Sequence, residues 1–233
     1  MRLLFIVAII SIQFLGFGQT AQEFLESGLK KYAIRDYNGS IQDYTNAIII
    51  YPQYAEAYYN RGLSKFWLMD YFGGIQDFSK AIEINPQYEQ AYIDRGLFKR
   101  ELEDFYGALQ DYSYALQLNS NNSDTYNGRG RVKAKMNDTK GAILDFSKAI
   151  ELDPKNSMAY GDRADTKKEI GDLKGAINDY SKAIEIDPWA EYYISRGTVK
   201  IKLGDKMGGC LDFSKAGELG TLRAYDLIKS HCK

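Results

Sequence analysis

Residues 38–48 read NGSIQDYTNAI, and variants of this stretch return five more times along the chain. They are FGGIQDFSKAI at 72–82, YGALQDYSYAL at 106–116, KGAILDFSKAI at 140–150, KGAINDYSKAI at 174–184 and MGGCLDFSKAG at 207–217. Their third positions are small: Ser40, Gly74, Ala108, Ala142, Ala176 and Gly209, at spacings of 34, 34, 34, 34 and 33 residues. A fixed period of this size predicts a solenoid of stacked helical hairpins rather than a compact enzyme domain.

Residues 55–88 show how one repeat is built. Apolar and small residues recur at three- and four-residue spacing from Tyr58 to Phe66, which predicts one face of a first helix. A second helix is expected from about Gly73 to Ile84, after a tight connection at residues 69–71. Asn85-Pro86 ends it, because proline lacks an amide donor and disfavours helix in the preceding residue.

This pattern resembles the tetratricopeptide repeat (TPR) family over residues 21–220. The small residue of the first helix is Gly28, Gly62, Gly96, Gly130, Ala164 and Gly197, and the aromatic of the second helix is Tyr44, Phe78, Tyr112, Phe146, Tyr180 and Phe213. The resemblance implies an all-α, right-handed solenoid of helix-turn-helix hairpins with a C-terminal capping helix. The expected repeats are 21–54, 55–88, 89–122, 123–156, 157–189 and 190–220, followed by a capping helix at 221–233.

One residue is missing from the period near Trp189, so the junction between the fifth and sixth repeats is expected to be re-angled. We expect Trp189 to fill the resulting gap.

A charge pattern follows the same period. Arginine precedes the small residue of the first helix in five repeats, and aspartate precedes the aromatic of the second helix in all six. An arginine beside tightly packed glycine is partly desolvated and needs a carboxylate, so we interpret the pattern as a structural Arg–Asp pair rather than a ladder of ligand-binding charges. Whether each aspartate pairs within its own repeat or with the next one is left open by the sequence.

Composition and motifs argue against several classes of function. Thirty basic and thirty-one acidic residues leave a net charge of -1, without the basic excess that nucleic-acid binding requires. The single histidine, His231, lies among the last three residues, so a nucleophile has no credible base. Cysteine and histidine show no metal-ligand spacing, and no glycine-rich phosphate loop follows a strand. We therefore expect no enzyme activity, no cofactor and no nucleic-acid partner.

The N-terminus has the pattern of an export signal at residues 1–18. Arg2 precedes an apolar segment from Leu3 to Phe17, and the small residues Gly16 and Gly18 suit cleavage before Gln19. The apolar segment is shorter than the ~20 residues that span a bilayer. The mature chain is therefore expected to be periplasmic or secreted, without a membrane span.

The TPR resemblance implies that the first helices line a groove for a peptide or protein partner. The candidate groove residues are Tyr32, Tyr59, Leu63, Phe66, Trp67, Ile93, Leu97, Arg100, Arg131 and Lys135, and the carried-over surface also reaches Ile194. The alternative is a structural spacer of an envelope assembly without a specific groove. The pattern specifies neither the partner's identity nor an oligomeric state.

The two cysteines are predicted to form a disulfide. Residues 221–232 have the pattern of a further helix with Leu222, Tyr225, Ile228 and Cys232 on one apolar stripe. If this helix folds back on the last second helix, Cys210 and Cys232 lie abreast, because each is 11 residues from Thr221. Export to an oxidising compartment would then favour a Cys210–Cys232 bond.

Overall fold

A computed structural model describes residues 20–232 of the chain, so the predicted export signal at residues 1–18 lies outside the described residues. Within this range the chain forms thirteen helices and no strand. They are α1 (20–33), α2 (Tyr37–Ile50), α3 (Ala55–Trp67), α4 (Tyr71–Ile84), α5 (Glu89–Glu101), α6 (Phe105–Leu118), α7 (Ser123–Lys135), α8 (Thr139–Leu152), α9 (Ser157–Glu169), α10 (Leu173–Ile186), α11 (Ala190–Lys202), α12 (Lys206–Glu218) and α13 (Leu222–His231).

The helices fall into two compact units. The first ends at Leu118 and holds α1–α6, and the second begins at Asn119 and holds α7–α13. Within each unit consecutive helices pack as hairpins, and each second helix also packs on the next first helix. The all-α prediction and the hairpin architecture are thereby confirmed.

The second helix of residues 55–88 begins two residues earlier than the sequence suggested, because an aspartate caps it. The Asp70 carboxylate accepts a hydrogen bond from the Gly73 amide at 2.9 Å, so α4 starts at Tyr71 rather than near Gly73. In the other repeats the amide of the glycine three residues on donates the same bond to the carboxylate of Asp36, Asp104, Asp138, Asp172 or Asp205. Aspartate is among the preferred N-cap residues, since its oxygen satisfies an amide that the helix cannot.

Each first helix ends in a left-handed residue. After α3, the amide of Asp70 donates to the carbonyl of Lys65, and that of Met69 donates to Phe66, which is the Schellman arrangement. Met69 adopts φ +61°, whereas the fifth and sixth repeats place Gly171 and Gly204 there, at φ +84° and +88°. The earlier repeats thus carry backbone strain that the later ones avoid.

Close contacts between repeats use matched large and small residues. In the first unit Phe98 is 1% exposed and its ring lies against Gly74, where a Cβ would overlap it. The equivalent positions in the second unit are Val199 and Ala176, which share one core cluster. The combined size of the two side chains is therefore similar in both units, but it is divided between them differently.

The shortened junction before α11 differs from the sequence-based expectation. Trp189 is 57% exposed, so the prediction that it fills the gap is wrong. Tyr192 fills it instead, at 8% exposure, and a Cβ on Gly161 would lie 2.5 Å from its ring. Tyr192 stands where the second to fifth repeats have alanine or threonine, and glycine on α9 makes the space for its ring.

The last helix covers the end of the sixth hairpin, but through a different face from the one predicted. Ala224 is fully buried and packs with Ile194 and Ala216, with Leu227 beside them. Leu222 and Tyr225 are 81% and 58% exposed, so the proposed stripe through them is wrong. Small Ala224 allows α13 to approach closely, which the larger side chains would prevent.

The predicted disulfide is confirmed. Cys210 of α12 and Cys232 after α13 are bonded, with their Cα atoms 5.7 Å apart, within the range that disulfides require.

Replacing Met69 with glycine is expected to stabilise the protein by about 1 kcal/mol, because it removes the cost of a left-handed conformation at a residue with a Cβ. Gly171→Ala, the matched reverse change, should destabilise by a similar amount. Urea unfolding of both variants measures this. A Met69→Gly variant with a lower midpoint would contradict the assignment of strain.

Gly74→Ala is expected to destabilise by about 1–3 kcal/mol, because the new methyl group overlaps a buried ring. In a Phe98→Val background the same change should cost nothing measurable, since the pair then reproduces Ala176 and Val199. A double-mutant cycle from denaturant unfolding gives the coupling energy. Strictly additive effects would show that the two positions do not share one space.

Reduction of the disulfide is expected to lower the free energy of unfolding by roughly 3 kcal/mol, on the chain-entropy model for a separation of 22 residues. Thermal unfolding with and without a reductant measures the loss. A variant with serine at both cysteine positions serves as the control and should not respond to the reductant.

Candidate functional site

The charged pairs along the array lie within single repeats, which settles the alternative that the sequence left open. Arg61 of α3 donates to both carboxylate oxygens of Asp77 in α4, Nε to Oδ2 at 3.0 Å and Nη2 to Oδ1 at 2.6 Å. The same two-point contact joins the equivalent residues sixteen positions apart in the other arginine-containing repeats: Arg95–Asp111, Arg129–Asp145, Arg163–Asp179 and Arg196–Asp212. The aspartate side chains are at most 7% exposed.

Each of these aspartates also meets a lysine that sequence reasoning missed. Lys65, one turn after Arg61, places its Nζ 2.8 Å from Asp77 Oδ2. Lys99, Lys133, Lys167 and Lys200 repeat the contact at 2.7–2.9 Å. In the first repeat, where Ser27 replaces arginine, Lys31 is the only cation among residues 20–232 that pairs with Asp43. The lysine recurs with the repeat period, so aligning the six repeats could have found it.

The arginine also ties neighbouring repeats together. Arg61 Nη1 donates to Thr45 Oγ1 of the preceding second helix at 3.1 Å, and its guanidinium lies 5.5 Å from the ring centroid of Tyr58. These contacts use most of the donors of the guanidinium and both oxygens of the carboxylate. We call these repeated Arg–Asp and Lys–Asp contacts the charge ladder. Its role is structural, which agrees with the interpretation of the sequence.

In the first unit an aromatic cluster lies at the end of the first helices. The indole of Trp67 stacks on Tyr37, with centroids 5.7 Å apart and planes 7° apart, and its Nε1 donates to Tyr32 Oη at 2.8 Å. Trp67 nevertheless remains 55% exposed. The ring is thus held in one orientation while half of its surface stays available for contact.

Other predicted groove residues of the first unit contribute to packing as well. Phe66 is half-buried, with its centroid 5.1 Å from that of Phe98. Tyr59 packs on Tyr88 and Phe78, with centroids 4.8 and 5.7 Å away. The remaining apolar candidates, Leu63, Ile93 and Leu97, are half-buried, whereas Arg100 pairs with Glu101 at 2.7 Å.

A carboxylate that the sequence analysis did not single out lies beside these aromatic rings. Asp94 Oδ2 accepts hydrogen bonds from Tyr59 Oη at 2.8 Å and from Gln90 Nε2 at 3.2 Å. Burial raises the pKa of Asp94, and the two hydrogen bonds oppose that shift. Burial also raises the pKa of the Tyr59 phenol, and the negative charge of Asp94 raises it further. The acid is thus held by neutral donors.

The predicted groove residues of the second unit form a charged cavity. Arg131 and Lys135 of α7 are exposed and line an open cavity of about 280 Å³, together with Phe146, Asp162, Asp165, Thr166 and Glu169. Asn127 Nδ2 donates to Asp162 Oδ2 at 3.0 Å, and Arg131 Nε lies 3.7 Å from the same oxygen. Ile194, expected on this surface, is 2% exposed because α13 covers it.

No group of three or more His, Cys, Asp or Glu residues between positions 20 and 232 could hold a metal ion. His231 is exposed, with its ring 6.2 Å from that of Phe213. Over the same residues, no helix combines the length and the apolar character that crossing a membrane demands.

Comparison with known proteins bears directly on the repeats. Two family models described as tetratricopeptide repeat match residues 123–156 and 146–178. Among curated proteins, none matches the sequence.

Solved structures share the fold at low sequence identity. PilF of Pseudomonas aeruginosa has a TM-score of 0.78 at 16% identity, covering 92% of this chain and 99% of its own. A tetratricopeptide repeat protein from Parabacteroides merdae has a TM-score of 0.69 at 22% identity, covering 91% of this chain and 84% of its own. YrrB, a TPR protein with an unusual peptide-binding site, has a TM-score of 0.62 at 21% identity, covering 80% of this chain and 97% of its own. The family matches place tetratricopeptide repeats within residues 123–178, and these likenesses show that the chain shares the fold of TPR proteins.

Proposed function

We propose that this protein is an exported, non-catalytic interaction scaffold that binds a peptide or an extended segment of a partner protein on the first helices of its repeats. The observation that carries the proposal is Trp67, which is 55% exposed yet oriented by Tyr32 and Tyr37. Aromatic side chains dominate binding energies at protein interfaces, and fixing their orientation beforehand lowers the entropy lost on binding.

The character of the fold supports an interaction function. Repeat arrays present extended surfaces, and TPR proteins serve as scaffolds for protein–protein interaction. The similar protein YrrB has a peptide-binding site, which makes the same class of ligand reasonable here. The charge ladder is used internally, so specificity must come from the variable positions on the first helices.

Export rests on two features of the chain. The N-terminal sequence has the order of a charged, an apolar and a small-residue segment that secretion signals share. The Cys210–Cys232 bond fits an oxidising compartment, where such bonds persist. Together they support our proposal that the mature protein lies in the periplasm or outside the cell.

The test is binding of a random nonapeptide library to the purified protein, followed by affinity measurement on the retained peptides. We expect the Trp67→Ala variant to bind them about 30-fold more weakly, which corresponds to about 2 kcal/mol for an aromatic residue at an interface. Thermal unfolding checks that the variant remains folded, as a half-exposed residue should allow.

The matched control is Tyr106→Ala, which removes a ring that is 79% exposed on the second helix α6. Its affinity should equal that of the unchanged protein. If the library is not retained, or if both variants bind as well as the unchanged protein, the groove proposal fails. The structural-spacer alternative would then be favoured.

A further inference from the structure

The repeats of the two units share a hydrogen bond between neighbouring first helices that ends on an aspartate. In the first unit Tyr59 of α3 donates to Asp94 of α5, and in the second Asn127 of α7 donates to Asp162 of α9. In both pairs the residues are 35 positions apart and the accepting atom is Oδ2. Asp94 and Asp162 therefore occupy equivalent places, and their surroundings can be compared directly.

The two aspartates differ in their positive neighbours. Asp162 has the guanidinium of Arg131 at 3.7 Å. The position equivalent to Arg131 in the first unit is Leu63, thirty-one residues before Asp94 just as Arg131 precedes Asp162. Within the described chain, Asp94 forms no ion pair, and its two donors, Tyr59 and Gln90, are uncharged.

A partly buried carboxylate without a cation is unusual in this protein. The aspartates of the charge ladder carry a lysine each, and five of the six carry an arginine as well. Removing a charge from water costs free energy unless an opposite charge compensates it. An external cation that reached Asp94 would supply the compensation that Arg131 supplies to Asp162.

We propose that Asp94 is a specificity-determining residue of the first-unit groove and that it binds a lysine or arginine side chain of the partner peptide. The proposal rests on the proposed groove function and names the chemistry of its ligand. Charge complementarity selects a basic side chain. The aromatic and apolar neighbours fit its aliphatic stem, since Leu97 lies one turn from Asp94 and Leu63 one turn from Tyr59.

The experiment uses four acetylated and amidated nonapeptide libraries, with arginine, lysine, norleucine or glutamate fixed at the central position and the others randomised. The unchanged protein is expected to retain the arginine and lysine libraries at least ~10-fold better than the norleucine library, and the glutamate library least. Asp94→Asn should abolish this preference, although asparagine can still accept the hydrogen bonds from Tyr59 and Gln90.

A second variant supplies the missing cation from within the protein. Leu63→Arg reproduces the Arg131–Asp162 arrangement and should abolish the preference for basic libraries while keeping the fold. Ile49→Arg is the matched control, because it adds the same charge at a side chain that is 71% exposed on α2. That control should retain the preference, so an effect of net charge alone is separated from occupation of the site.

Stability provides an independent measurement. A carboxyl whose pKa is raised on folding destabilises the folded state as the pH rises above its unfolded pKa, and the loss is complete above the folded pKa. Asp94→Asn should therefore raise the melting temperature at pH 7. The gain should vanish once the pH is well below about 4, the ordinary pKa of an aspartic acid, because the carboxyl is then protonated in both the folded and the unfolded state. A purely structural acceptor would be replaced by asparagine without a gain in stability.

The outcomes separate this proposal from the general one. Equal retention of the norleucine and basic libraries, with Trp67→Ala still weakening binding, overturns the role of Asp94 and leaves the groove in place. Retention of no library overturns both. Loss of the basic preference in Asp94→Asn and Leu63→Arg, but not in Ile49→Arg, supports the assignment.

Discussion

The structure depends on a buried aspartate that is held by two cations in each of the five hairpins after the first. Asp77 joins the second helix to Arg61 and Lys65 of the first, and Arg61 reaches on to Thr45 of the repeat before. A carboxylate this buried would be costly alone, because desolvation outweighs a single weak contact. With both oxygens and most guanidinium donors used, the group fixes the rotation of the two helices about their axes and the register between neighbouring hairpins.

This arrangement also decides which surface is left for binding. The lysine and the small residue of every first helix, and the arginine of all but the first repeat, face the seam, so their identities are constrained there. Positions on the remaining face differ between repeats that form the same hairpin. The second repeat has Leu63 and Tyr59 where the fourth has Arg131 and Asn127. A common scaffold can therefore carry an aromatic surface in one unit and a charged one in the other.

A residue that differs from its equivalents in the other repeats can be compared directly with them, because the repeats share one backbone arrangement. Phe98 is a large residue where the second, fourth, fifth and sixth repeats have serine, valine, threonine and valine, and Gly74 compensates for it. Tyr192 is compensated in the same way by Gly161. Asp94 has no such compensation within its own unit. In the first two cases a glycine on a neighbouring helix makes room for the large side chain. The charge of Asp94 has no such partner in its unit, which is why we propose that a cation of the bound peptide supplies one.

The sequence by itself determined the helical hairpins, their number and their order, because the period of 34 residues and the spacing of small and apolar residues are local properties. It also placed Cys210 opposite Cys232, since equal distances from a turn suffice for two antiparallel helices. These predictions needed only the geometry of one helix or one hairpin.

Tertiary structure decided what depends on contacts between repeats. The pairing of Arg61 with Asp77 in its own repeat, the burial of Tyr192 instead of Trp189, and the inward face of α13 each follow from how side chains fit a neighbouring helix. The surroundings of Asp94 belong to the same class, because its donor Tyr59 is 35 residues away. Periodicity gives the face of a helix on which a residue lies, but only packing decides which atoms meet there, since a shift of one residue or one small side chain changes the partner.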